Sequence, residues 1–143
     1  MNKDTAFKVL LALVGLAHLV LGLIANVAPP DALVKVASVF YGATVEVTSQ
    51  SHHVIRIVGA FMIGVAVMAF LACRDPQRNQ AIILGIITVL VLRVIQRIVF
   101  AQEITGAFHV PAARVWLQVA FFLLTAIALF ILRPKAAAST ARG

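Results

Sequence analysis

Arg93, Gln96 and Arg97 place two guanidinium groups and an amide on one helical face, at spacings i, i+3 and i+4. A guanidinium stays charged even when buried, and its planar fork suits carboxylate, phosphate or carbonyl oxygens. The surrounding residues 81–101 are apolar and long enough to cross a bilayer core, which takes about 20 residues. Their Ile, Leu, Val and Phe side chains gain about 4–8 kcal/mol in total on insertion. Each arginine costs about 2.5–3.5 kcal/mol at mid-membrane, and like charges at i, i+4 repel. This span therefore depends on its neighbours, and an anionic group is expected close to it.

Further polar residues collect at a similar level. At about 1.5 Å of rise per residue, Arg93 lies about 18 Å and Arg97 about 24 Å from the start of their span. Arg56 stands near the outer end of a second apolar run, and Arg114 near that of another. Gly15, His18 and Gly22 share one face of the first run, while Arg114, Gln118, Phe121 and Thr125 form a stripe on the last. Asp31, Glu46 and Glu103 are the available counter-charges. Three readings are open. The arginines can snorkel to lipid phosphates or pair with Glu46 and Glu103. They can hold an anionic or carbonyl-bearing ligand: a lipid headgroup, a carboxylate or a quinone. They can also meet a polar surface of another membrane subunit.

Catalysis finds little support in the residue types. No nucleophile with its base, carboxylate dyad or phosphate-cradling glycine loop is recognisable, so no catalytic residue is assigned. A membrane haem needs two histidines at workable depths. His18 is deep, whereas His52, His53 and His109 lie outside the spans, about 10–15 Å away by helix rise. His18 reads instead as a buried imidazole hydrogen-bonded across helices. His52, His53 and His109 with Glu46 or Glu103 offer at most an unconstrained metal set, so no metal or other cofactor is expected. The single cysteine, Cys73, reads as a structural thiol without a disulfide partner in the chain.

The elements that position these groups are apolar runs. Of 143 residues, 62% are hydrophobic and 12% charged, where a soluble domain has about half and a quarter. Mean hydropathy is +1.04. Spans are expected at 9–27, 54–73, 81–101 and 112–132 within a single domain, 1–135, making an all-α, polytopic membrane protein. A net charge of +7 does not signal nucleic acid, because no basic stripe alternates with exposed aromatics. Orientation accounts for much of it. Lys3, Lys8, Arg74, Arg78, Arg133, Lys135 and Arg142 fall on one side, and only Lys35 and Arg114 on the other outside the spans. The positive-inside rule then puts both termini in the cytoplasm. The first span could instead be a signal peptide, but its apolar stretch is long and no clean cleavage site follows.

Connections are read from their breakers. Pro29-Pro30-Asp31 stops the first span and opens a short surface helix over 32–40. Thr44 to Thr48 alternates with period two, as an extended segment does, and should pack on helix tips or pair with another chain. The whole outer loop, 28–53, is long enough to imply a role. The basic loop 74–80 is short and forces a helical hairpin, Thr105-Gly106 gives a turn, and Pro111 opens the last span. Ala60 and Gly64 form a small-xxx-small pair for close helix packing. The tail 136–143 is expected to be disordered.

The proline-marked outer loop, Arg56-x-x-Gly59-Ala60 opening the second span, and Arg93 and Arg97 late in the third resemble small bacterial membrane proteins of the DoxX-like and BphX-like kind. The resemblance implies a four-helix layout, and quinone or sulfur redox systems for some members. It carries over no catalytic residue. The expectation is an antiparallel four-helix transmembrane bundle in a bacterial inner membrane. Its function is expected to be non-enzymatic: an accessory or scaffold protein whose outer half engages lipid, a membrane-protein partner or a second copy. Arg56, Arg93, Gln96, Arg97 and Glu103 are the foremost site residues, with His18, Arg114 and Gln118 around them. The alternative is binding of an anionic small molecule or quinone, for transport or redox chemistry, with His18 as proton carrier.

Overall fold

The computed structural model describes residues 2–134; the expected disordered tail and Lys135 lie outside them. Its long helices are α1 (Lys3–Val27), α3 (Ser49–Arg74), α4 (Gln80–Val99) and α6 (Ala112–Leu132), each long and apolar enough to cross a membrane. Two short helices, α2 (Pro30–Val36) and α5 (Ala101–Ala107), lie in the connections. By length and composition this is a multi-pass membrane protein. Its outward faces carry Val27, Phe61 and Leu117, apolar side chains suited to lipid rather than water.

Helices α1 and α3 form the tighter pair. Their contacts join rising positions of one to falling positions of the other: the Cys73 thiol to the Lys8 carbonyl (3.4 Å), Gly15 to Ala69, and Gly22 to Gly59. A Cβ at Gly22 would lie 2.8 Å from the Gly59 carbonyl oxygen, so only hydrogen fits there. Gly59 makes this seam with Met62, Ala66, Ala69 and Ala72, the buried residues of α3. The expected Ala60–Gly64 pair lies off it: both are exposed, and a Cβ at Gly64 meets nothing within 4 Å. Small residues one position apart in register face different neighbours, a distinction the spacing alone does not make.

Helices α4 and α6 form a second pair. The two pairs share a core near the end that carries Lys3 and Arg133, hereafter the terminal end. Phe7 and Leu11, Ala69 and Ala72, Ile83 and Ile86, and Ala126 and Leu129 meet there, one couple from each long helix. The Gln80 side-chain amide donates to the Pro134 carbonyl (3.0 Å) and closes this end. In the loop 75–79, the Arg78 N–H donates to the Asp75 carboxylate (3.1 Å) and turns the chain sharply.

The opposite, loop end is held differently. Helix α2 continues as a π-helical turn, Ala37–Tyr41, and stops at Gly42, whose φ of +67° is the left-handed region that favours glycine. Residues 44–48 form no strand, and none occurs among the described residues. The Thr44 N–H donates to the Phe108 carbonyl (2.9 Å), docking this segment onto the α5–α6 connection. Thr48 and Ser51 then form a reciprocal capping box that starts α3. Thr105 and Gly106 are helical rather than a turn, since the Thr105 hydroxyl donates back to the Ala101 carbonyl (3.0 Å). The chain breaks instead at His109, with φ of +53°, just before Pro111.

Candidate functional site

The loop-end segment is clasped to α6 by two of the expected site residues. Carbonyls at a helix C-terminus lack partners within the helix. Arg114 Nη1 donates to the Val39 carbonyl (2.8 Å), and the Gln118 amide nitrogen donates to that of Phe40 (3.3 Å). Their first role is therefore to hold the π-helical turn against α6. Gln118 Oε1 remains buried without a hydrogen-bond partner.

Clasping the turn brings Tyr41 beside Arg97. The Arg97 guanidinium carbon lies 5.9 Å from the Tyr41 ring centroid and 5.6 Å from that of Phe122; Arg93 lies 5.3 Å from Phe122. Two half-buried arginines thus share one aromatic ring. Phe122, not Phe121, faces inward; Phe121 is 63% exposed. One stripe of α6 accordingly runs Arg114, Gln118, Phe122, Thr125, in steps of four, four and three, from an exposed Arg114 to a buried Thr125. Phe122 was discoverable as the next residue four beyond Gln118, and Tyr41 as the chain's only tyrosine.

Expected counter-charges do not approach. Among the described residues the ion pair within 4 Å is Lys8–Asp4 (3.1 Å), on the surface of α1. Glu46 and Glu103 make no ion pair with Arg93 or Arg97, and Glu103 is exposed on α5. Arg56 is likewise exposed on α3 and joins neither the arginine cluster nor a hydrogen bond. Also among the described residues, no three His, Cys, Asp or Glu side chains converge as metal ligands.

Two cavities meet at Tyr41 and Phe108. The smaller, about 220 Å³, is lined by Gln96, Arg97 and Gln118 together with Ile104 and Val110. The larger, about 520 Å³, lies beneath α2 against α1 and α3, and is almost wholly apolar. Tyr41 and Phe108 line both. A polar chamber with an arginine therefore adjoins an apolar one across two aromatic rings. That pattern is amphipathic, and it matches a molecule with a polar head and an apolar tail.

His18 is buried, as expected, but bonded otherwise. It is 6% exposed, and its Nδ1 lies 2.8 Å from the Val14 carbonyl of its own helix, not across to another. Its Nε2 has no partner. Gly15 and Gly22, one turn on either side, let α3 close over the ring.

Comparison with protein-family models, curated proteins and solved structures finds no match for this chain. The DoxX-like resemblance thus rests on its own residues, and function on the geometry above.

Proposed function

We propose that this chain is a non-enzymatic accessory protein of the membrane whose loop end holds an anionic lipid. The observation that carries this reading is Arg97: half-buried, unpaired with any carboxylate among the described residues, and set where a polar cavity adjoins an apolar one. Magnitudes favour an anion there. Cation–π contacts return about 0.5–2 kcal/mol each, against about 2.5–3.5 kcal/mol for an arginine within a span. An oxyanion at about 4 Å would return about 4 kcal/mol at an effective dielectric constant near 20. In this reading a headgroup oxygen accepts from Arg97 and Gln96, and an acyl chain occupies the cavity beneath α2.

The proposed setting is a bacterial cytoplasmic membrane, with α1, α3, α4 and α6 as an antiparallel bundle and both termini cytoplasmic. Lys3, Lys8, Arg74, Arg78 and Arg133 at the terminal end support that orientation. A partner subunit is the second reading. It is favoured by α6, where Trp116, Leu117 and Phe121 are each more than half exposed along one side.

The test is the native mass of the protein extracted gently from its own membrane. The expected result is a 15.3 kDa protomer, or a multiple of it, with a reproducible phospholipid increment. Arg97→Gln should lose that increment at least tenfold while abundance stays within about twofold. A second polypeptide in place of lipid would move the assignment to the subunit reading. A bare protomer would overturn both.

A further inference from the structure

A third cavity, of about 820 Å³, runs between α3 and α4. Its volume is that of an ordinary small-ligand site. Ile57, Phe61 and Met68 on its walls are exposed, so it opens sideways, where lipid chains would lie. Ala60 and Gly64 leave its α3 wall bare, and a Cβ at Gly64 would meet nothing within 4 Å. Two polar residues line this otherwise apolar space: His18 and Arg93.

Hydrogen-bond logic sets what they can take. A carbonyl only accepts, so His18 Nδ1 carries the proton in its 2.8 Å contact with Val14. Nε2 of the neutral ring is then an acceptor. It is buried, has no partner, and belongs to a residue that is 6% exposed. An orphaned buried acceptor costs about 1–3 kcal/mol, which a ligand's donor would relieve. Arg93, by contrast, only donates. The cleft therefore asks for a head that offers a proton and an acceptor together, on an apolar body. Quinone carbonyls, esters and phosphodiesters only accept, and each would leave Nε2 orphaned. An alcohol offers one oxygen to two partners. A carboxylic acid offers both groups in one plane.

We infer that the α3–α4 cleft is a binding site for a long-chain carboxylic acid, its O–H donating to His18 Nε2 and its carbonyl accepting from Arg93. The body of the acid lies along Ala60 and Gly64. Arg97 does not line this cleft, so the two sites use different arginines, although both arginines lie against Phe122.

The experiment uses the full chain labelled with [15N]histidine in phosphatidylcholine nanodiscs, with oleic acid as the probe. On titration the His18 Nε2 resonance should move upfield as its lone pair accepts a hydrogen bond. Methyl oleate, which has no O–H, should leave it in place. Gly64→Phe starts from a Cβ that meets nothing within 4 Å, places its ring in the cleft and should raise the oleic acid midpoint at least tenfold. Arg97→Gln should move the midpoint far less than Gly64→Phe does, which separates failure here from failure of the loop-end reading. An unmoved His18 signal, an equal shift with methyl oleate, or a Gly64→Phe variant that titrates like the parent would overturn the inference.

Discussion

The two ends of this molecule are built on opposite principles. At the terminal end, all four long helices contribute to one dry core, with Phe7, Leu11, Ile83 and Leu129 fully buried. At the loop end the helix pairs part. This end holds arginines, aromatic rings and cavities, and three buried side-chain atoms among the described residues lack partners: His18 Nε2, His52 Nε2 and Gln118 Oε1. Close packing leaves no room for a ligand within the terminal-end core, and the groove of about 600 Å³ at that end lies outside it, along Lys3, Gln80 and Arg133. Unsatisfied polar groups cost stability. The difference teaches a division of labour: one end supplies the stability that lets the other remain open and polar.

That contrast can be broken most directly at Phe7. Phe7→Ala should destabilise the protein by about 3–5 kcal/mol, the usual loss for emptying a packed aromatic site. Tyr41→Ala at the loop end should cost less than half as much, because its ring already borders cavities. Thermal unfolding in one detergent measures both, and equal losses would erase the distinction between the ends.

A smaller effect is expected at the glycines. Gly22→Ala places a methyl group 2.8 Å from the Gly59 carbonyl and should cost about 1–3 kcal/mol by overpacking. Gly64→Ala should be neutral or slightly stabilising, as alanine is the better helix former by about 1 kcal/mol. Crosslinking of paired cysteines across α1 and α3 would show whether the first change opens the seam.

The smallest effect concerns how the loop end is anchored. Thr48→Ala removes one half of the capping box and should cost about 1 kcal/mol. Hydrogen exchange should rise in the first turn of α3 and stay unchanged near Cys73. Faster exchange throughout α3 would mean that the two ends unfold as one unit, which would sharpen the comparison into a limit.

Much of this organisation was legible in the residues. Apolar runs announced four long helices because a span must bury about 20 residues in lipid and satisfy its backbone internally. The last of them matches its expected bounds, and the others differ by a few residues, mainly at polar starts such as Lys3 and Ser49. Spacing also put Arg114 and Gln118 on one stripe of α6, where both reach the π-helical turn although Arg114 itself is exposed, and His18 is buried as expected. Several partners were not legible. Phe122 rather than Phe121 meets the arginines, and Gly59 rather than Ala60 and Gly64 meets α1. Phe121 and Phe122 lie three and four beyond Gln118, so spacing admits either, and which of two neighbours about 100° apart meets a partner depends on where that partner packs.

The sequence by itself therefore determined that this chain is helical, apolar enough to cross a membrane four times, and burdened with arginines it must accommodate. Periodicity and insertion cost are local sums over neighbouring residues, so a sequence suffices to evaluate them. Only the tertiary structure decided that Glu46 and Glu103 make no ion pair with those arginines, that Tyr41 folds back over Arg97, and that His18, with Nε2 unpartnered, lines a cleft. Those outcomes depend on which side chains distant in sequence come together at each end, and no sum over neighbouring residues contains that.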